Sequence, residues 1–440
     1  DLLEKGIDLH NIHTGFLPSD SSSEEGLLVI NHEYVNPLFV GGYDGNDEAA
    51  VKTAEMIAVE QEAVGLSVIH VKRNADGAWE IVADAPENRR LTGITPMILT
   101  GPAAEIDGGP EVIGTLANCS GGMTPWGTAL SCEENFQDYP VEAPDGYGWD
   151  AETYSKRHYG WVVEVDPFDP TSTPRKHTAM GRFRHENVAI RVGEDGTVVA
   201  YMGDDKADCC VYKFVADQKL VDVADRETNM SILESGKLYV ANFGTGQWFL
   251  LDYDEQTALQ KATDEDDDSV LLFESQVDVL GDARAAAIAL RATPMDRPED
   301  IEIHPIDGSV FIALTNNTGH GNFHGQIVRL VETDNDPAAE TFEWSIFAVG
   351  GPQSGFSAPD NLIFDGEGNL WMVTDISSSS QNKGIFTFHG NNSLFFFRTE
   401  GPYAGVAYQF ASGPVQCEMT GPAWTPDGKS ILFRSTRTAY

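Results

Sequence analysis

Basic residues are scarce in this chain: 28 Lys and Arg against 69 Asp and Glu leave a formal net charge of −41 across 440 residues. Nucleic acids and anionic membranes both need a positive footprint, so neither is an expected partner. An acidic surface of this kind suits a secreted or salt-adapted protein, and some of the acids remain available to hold cations. No run of about eighteen apolar residues exists, so no membrane-spanning helix is expected. The opening Asp-Leu-Leu-Glu-Lys-Gly lacks a charged n-region and an apolar h-region. No signal peptide is read there, which leaves export open because such segments are removed on maturation. Cysteine is also sparse, with five residues at 119, 132, 209, 210 and 417. An odd count without C-x-x-C spacing excludes a zinc ribbon or a disulfide framework. Pairing of Cys119 with Cys417, or of one of the vicinal pair, stays open. Neither a Gly-x-Ser-x-Gly elbow nor a P-loop is present, so serine-nucleophile and P-loop phosphate chemistry have no motif to rest on.

What is present is strand. The 41% hydrophobic content is ample for a large core, either two or three domains or one large all-β domain. Residues 24–34 form an apolar run ending in Asn31, His32 and Glu33, while 47–64 have no internal Gly or Pro and predict a helix. Val68–Val71, the turn Asp76-Gly77 and Trp79–Val82 predict a hairpin. Further on, turns recur at Asp195-Gly196, Ser235-Gly236, Asp307-Gly308, Glu367-Gly368 and Asp427-Gly428. Four of them follow an apolar strand introduced by an acid: Glu186, Glu299, Asp360 and Glu418. Three precede a strand ending in polar groups, Asp204-Asp205, Asn316-Asn317 and Thr374-Asp375.

Such spacing suits blades of an all-β propeller, six-bladed, with helical and loop insertions. We read 1–440 as one domain with insertions near 46–64 and 254–292. The second insertion holds an acidic loop and the helix-prone run Ala285–Leu290. The start of a hairpin's first strand and the end of its second lie at the same end, so the acids fall on one face. With the first strands innermost, they line one mouth of a central channel.

The segment Gly121–Phe136 delivers Cys132, Glu133 and Glu134 at the end of an expected strand, Trp126–Leu130. Taken alone, Cys132 fits a small buried hydrophobe as well as a ligand. Many carboxylates in one place need cations to neutralise them. Their oxygens suit Ca²⁺, and a single thiolate among them points to a transition metal in addition. Glu186 and Glu299 also fit ion pairs with Arg184 and Arg297, His32 and His185 fit supporting or core histidines, and Asn187 and Asn361 fit Asx-turns. Strand alternation favours Glu134 over Glu133 beside Cys132.

Asn-His-Glu-Tyr at 31–34, Thr-Pro-Trp-Gly-Thr to Cys-Glu-Glu-Asn at 124–135, Arg-His-Glu at 184–186, Arg-Pro-Glu-Asp at 297–300, Ala-Pro-Asp-Asn at 358–361 and Thr-Gly-Pro to Pro-Asp-Gly at 420–428 resemble the PhoX-type alkaline phosphatases. The resemblance spans nearly the whole chain. It implies a propeller phosphomonoesterase exported to the periplasm or secreted, with two ferric irons, a bridging oxide and calcium at the channel mouth. It further implies Cys132 as the iron-bridging thiolate, Glu33, Glu186, Glu299 and Asp360 as metal ligands, and Arg297 as the grip on substrate phosphate. Glu133, Glu134, Asp205 and Glu418 complete the candidate ligand set. The expected partners are small phosphate monoesters, and the expected state is a monomer.

Two other readings remain open. One is a calcium-dependent propeller lactonase or phosphotriesterase, which would lack a metal-bound thiolate. The other is a non-enzymatic propeller that binds a ligand at its mouth.

Overall fold

The computed structural model describes residues 14–18, 23–45, 47, 50–139, 149–150, 153–264, 266–267 and 269–437. Its strands fall into consecutive, mostly antiparallel sheets. The first joins β1 (Thr14–Pro18), β2 (Glu25–His32), β3 (Gly65–Arg73) and β4 (Trp79–Ile81), with β5 (Arg89–Leu91) also on β3. In the second, β6 (Pro96–Thr100), β7 (Glu111–Ile113), β8 (Asn118–Met123), β9 (Ala129–Glu133), β10 (Val162–Val165) and β11 (Arg175–His177) run in the order 7-6-11-10-9-8. The third holds β12 (His185–Val192) and β13 (Thr197–Asp204). After the short β14 (Ala207–Cys209), it continues through β15 (Val211–Lys219), β16 (Gly236–Asn242) and β17 (Gln247–Leu250). Strand β14 pairs instead with β18 (Met295–Asp296).

The fourth sheet is a meander of β19 (Pro298–Ile303), β20 (Val310–Leu314), β21 (Gln326–Glu332) and β22 (Phe342–Val349). A like meander, β23 (Pro359–Phe364), β24 (Leu370–Thr374), β25 (Ser393–Phe397) and β26 (Ala407–Ser412), comes after it. Strands β27 (Cys417–Trp424) and β28 (Ile431–Arg437) form the last pair. One strand of each sheet packs on one strand of the next: β2 on β8, β8 on β12, β12 on β19, β19 on β23 and β23 on β27. Strand β27 also touches β1. The cores lie between sheets, as where Val199, Tyr201 and Val211 meet Ile301, Ile312 and Val328.

Four of these packed strands carry the same irregularity. Cys119 and Ser120 of β8 together oppose Cys132, while Glu186 and Asn187 of β12 oppose Gly203. Glu299 and Asp300 of β19 oppose Ala313, and Asp360 and Asn361 of β23 oppose Val373. Each is a β-bulge, two residues facing one, which turns the strand and re-aims its side chains. Three of the bulges, and Glu418 besides, are preceded at two residues' distance by a non-glycine residue in the left-handed region. These are Ala117 (φ 53°), Arg297 (φ 61°), Ala358 (φ 51°) and Gln416 (φ 62°). That conformation costs roughly 1 to 2 kcal/mol per residue, so strain is concentrated where the strands begin.

The second bulge residue reaches the neighbouring sheet. Asn187 donates to Ile301 O at 2.8 Å and accepts from Ile301 N at 3.0 Å. Asp300 accepts from Leu362 N at 2.7 Å, and Asn361 accepts from Thr420 Oγ1 at 2.8 Å and Gly421 N at 2.9 Å. Asn31 at the end of β2 does the same job from its side, donating to Cys119 O at 2.9 Å and Ser120 O at 2.8 Å. Asn187 and Asn361 therefore tie sheets together rather than closing local Asx-turns.

The structure departs from the expected elements at several points. The helix read over 47–64 spans only Ala54–Ala63, because Thr53 caps it by accepting from Met56 N at 3.2 Å; residues 48 and 49 lie outside the described residues. The strand expected at Trp126–Leu130 starts at Ala129. Thr124–Thr128 is a turn held by Thr128 N donating to Thr124 Oγ1 at 2.9 Å, with Gly127 at φ 83° and the Trp126 indole donating to Glu164 at 2.8 Å. Ser235-Gly236 is not a hairpin turn but the point where β16 begins, after a connection from β15 that carries the short helix Arg226–Asn229. The other four repeated turns do join first and second strands. The helix-prone run after Gly281 is the helix Ala283–Ala289, packed with Gln276–Gly281 through Val279, Ala283, Ala286 and Ala287 onto the core of the third sheet.

Candidate metal centre

The bulges and the strand ends converge. Carboxylate oxygens of Glu134, Glu186 and Asp205 lie within 4.8 Å of one another, as do those of Glu186, Glu299 and Asp360. Glu33 and Glu134 form a third such group with the Cys119 thiol, so six carboxylates and one sulfur share one buried region. The thiol donates to both oxygens of Glu186, at 3.0 and 3.1 Å.

Burial and mutual repulsion oppose ionisation throughout this region. Burial pushes Glu33 up to about 8, and burial followed by the Asp205 charge does the same to Glu299. Glu134, Glu186 and Asp360 are held well above the carboxylate range by burial and then by their acidic neighbours. The Cys119 thiol is raised by burial first and by Glu186 next. Charges so placed demand compensation. The structure supplies part of it through Arg297, whose Nη2 donates to Asp205 Oδ2 at 2.6 Å and Glu299 Oε1 at 2.8 Å. Burial opposes the Arg297 charge, but Asp205 and Glu299 outweigh it and hold the guanidinium firmly protonated. Arg297 lies in the left-handed region between β18 and β19, and from there its side chain meets Glu299.

Asp205 Oδ1 is buried and has no hydrogen-bond partner among the described residues. An orphaned carboxylate oxygen amid other carboxylates fits a cation-binding position. The donor set as a whole fits hard cations with one softer ion at the sulfur.

Of the expected site residues, Glu33, Glu134, Glu186, Asp205, Glu299 and Asp360 come together, and Arg297 joins them. Glu418 acts electrostatically on Asp360 from the last sheet. Cys132 does not join them. It is packed with Leu130, Val162 and Met180 in an apolar core, because it is the residue opposite the β8 bulge rather than in it. Cys119 takes the place expected of Cys132. Glu133 is likewise excluded: it is fully buried in an ion pair with Lys176 at 2.7 Å. It also accepts from Thr115 Oγ1, Leu116 N, Gly160 N and Trp161 N at 2.9 to 3.2 Å. A carboxylate with five donors has no lone pair left for a cation.

His32 and His185 stay outside as well. They hydrogen-bond Ser67 Oγ at 2.6 Å and Gly181 O at 2.8 Å, and burial lowers His185 to about 3. Asp375, at the end of β24, is a member beyond the expected set; its charge raises Glu33, Glu299 and Asp360. Its signal is the polar strand end Thr374-Asp375, and that of Cys119 is its position two residues after Ala117, matching Glu299 after Arg297. All five cysteines are free thiols, so Cys119 and Cys417 are not bridged.

A buried multi-carboxylate centre with an arginine at its edge suits a metal-dependent hydrolase of phosphate esters. The family model for alkaline phosphatase PhoX matches residues 6–435. The solved structure of Pseudomonas fluorescens PhoX in complex with vanadate, a transition-state analogue, is 32% identical. It matches over 97% of this chain and 83% of that chain, with a TM-score of 0.83. The chain belongs to the PhoX alkaline phosphatase family. It is a phosphoric monoester hydrolase, and its catalysis depends on metal.

A Dyadobacter fermentans protein of unknown function is 10% identical at a TM-score of 0.40, covering 97% of this chain and 93% of its own. A putative 6-phosphogluconolactonase from Bacteroides fragilis is 11% identical at 0.38, covering 95% and 89%. Neither bears on function. No curated protein matches the chain by sequence.

Proposed function

We propose that the chain is a single six-bladed β-propeller, with insertions near 46–64 and 254–292, whose metal centre contains iron and calcium at the mouth of the central channel. The order of the six main sheets, the succession of contacts from β2 through β8, β12, β19 and β23 to β27, and the contact of β27 with β1 support the propeller reading. The observation that carries the metal assignment is the Cys119 thiol among Glu33, Glu134 and Glu186. Sulfur gives a site for ferric iron that calcium has no use for, and the oxygen-only group of Glu186, Glu299 and Asp360 suits calcium. Glu134 and Asp205 stand between the two groups, with Glu418 and Asp375 at the calcium side.

Such metals supply charge neutralisation and an oxygen nucleophile without a serine or histidine base. The chain's own groups do the rest. Arg297 is the residue that grips phosphate: its guanidinium presents a planar fork to two oxygens and sits 35% exposed, where a substrate can meet it. Asp205 and Glu299 hold the guanidinium in place through its Nη2. The bulges fix the carboxylates before substrate arrives, so the electrostatic stabilisation is preorganised rather than assembled during the reaction.

The substrates on this reading are small phosphate monoesters, the protein acts as a monomer, and it works in the periplasm or outside the cell. Elemental analysis of active protein is the test. Iron with calcium is expected, and zinc alone or no transition metal would overturn the iron assignment.

A further inference from the structure

Beside the metal centre lies a cavity of about 540 Å³ whose walls carry Lys156, Arg157, Arg182, Arg184, Lys206 and Arg284 against Asp278 and Asp282. Six of the chain's 28 basic residues thus line one cavity of a protein with net charge −41. Scattered cations on an acidic surface are expected; this concentration is not.

Its position is specific. Phe136 and Gln137 come soon after Glu134, Arg184 is two residues before Glu186, and Lys206 is next to Asp205. The carboxylates of the centre do not line the cavity, but chain neighbours of Glu134, Glu186 and Asp205 do, and Arg184 lies close enough to Glu134 to favour its charged form.

Several of the cations are already engaged. Arg284 pairs with Asp204, donating from Nε to Oδ2 at 2.7 Å, and Arg157 pairs with Asp107. Arg182 donates to Tyr159 O and Lys156 O, both at 2.7 Å, and stacks 4.5 Å over the Phe136 ring. The side chains of Arg184 and Lys206 make no ion pair among the described residues. Two cations outside any ion pair, in a cavity flanked by fixed ones, form a receptor for an anion.

We propose that this cavity receives a second phosphate of the substrate, so that the enzyme prefers small molecules bearing two phosphates over those bearing one. The proposal rests on the reading that the scissile phosphate sits at Arg297 and the metal centre. Arg184 and Lys206 hold the distal phosphate, and the fixed cations offset the field of the acidic surface around it.

The test compares kcat/KM of the metal-loaded enzyme for glucose 1,6-bisphosphate and glucose 1-phosphate, which share one ring. The expected ratio is well above one in the wild type. It should fall roughly tenfold in Lys206→Glu and in Arg184→Gln, the loss of one charge-assisted contact each. Lys206 is exposed, so its variant keeps the fold. A ratio near one in the wild type, or a ratio unmoved in both variants, overturns the cavity's role. Failure of the wild type to hydrolyse either ester overturns the phosphatase reading instead.

Discussion

Arg297 and Asp205 are locked together at 2.6 Å, with Glu299 completing the bracket at 2.8 Å, so this arginine is oriented by the carboxylates beside it. A phosphate arriving there meets a guanidinium already aimed. Replacing Arg297 by Ala should leave metal content intact and lose about 2 to 4 kcal/mol of transition-state stabilisation, as for one preorganised donor. Arg297→Lys should recover only part, since an ammonium is a point charge. Steady-state kinetics on an aryl phosphate, with metals measured on the same samples, checks this; unchanged kcat/KM would make the residue structural.

The two cysteines of the second sheet should separate cleanly. Cys119→Ser is expected to lose the transition metal and nearly all turnover while staying folded, because the thiol contacts carboxylates rather than core. Cys132→Ser is expected to keep both and lose stability by about 1 to 3 kcal/mol, the cost of an unpaired hydroxyl among apolar side chains. Metal analysis and thermal melts decide it, and wild-type metal in Cys119→Ser would sink the assignment.

Stripped of metal, the protein should show an unusual pH response. Glu33 and Glu299 titrate at about 8 when folded and at about 4.3 when unfolded, so the native state binds more protons in between. Their contribution is complete below about 4.3 and is lost as pH rises through about 8. Melting temperature of chelated protein should therefore fall between about pH 6 and about pH 9, and the fall should be smaller with metals restored. A flat profile without metal would show that the carboxylates are not suppressed.

The Lys176–Glu133 pair is fully buried and far more a matter of folding than of catalysis. Lys176→Met leaves a carboxylate buried without its cation and should cost about 3 to 5 kcal/mol. Chemical denaturation measures it, and the metal content of whatever protein folds should match wild type.

Much of the architecture is legible in turn chemistry. Asp195-Gly196, Asp307-Gly308, Glu367-Gly368 and Asp427-Gly428 need a left-handed glycine, and each joins a first strand to a second. The turn of the second sheet is invisible to that pattern because it is built from Pro125, Trp126 and Gly127 with a threonine clamp. Nothing in the repeat therefore sets Cys119 beside Glu299. The bulges are hidden for a different reason. Period-two alternation assumes unbroken pairing, and an extra residue in one strand reverses the facing of every later side chain without changing composition. Cys132 stands out in the sequence because Glu133 and Glu134 follow it, yet the thiol that meets the carboxylates is that of Cys119, one strand away in the bulge. Glu133 misleads because a buried ion pair and a metal ligand use the same residue type; only Lys176, 43 positions away, tells them apart.

The doublets Cys119-Ser120, Glu186-Asn187, Glu299-Asp300 and Asp360-Asn361 behave like a reading frame. In each, the first residue addresses the centre, and in three of the four the second is seen to clasp the next sheet. A single-residue deletion just ahead of a doublet would exchange the two addresses, which at Glu186-Asn187 and Asp360-Asn361 sends an amide inward and a carboxylate to the neighbour's backbone. The same deletion in a hairpin turn or an outer strand would leave both untouched. Variation in length should therefore be tolerated around the rim of the molecule and forbidden in the short stretch from the left-handed residue to the doublet.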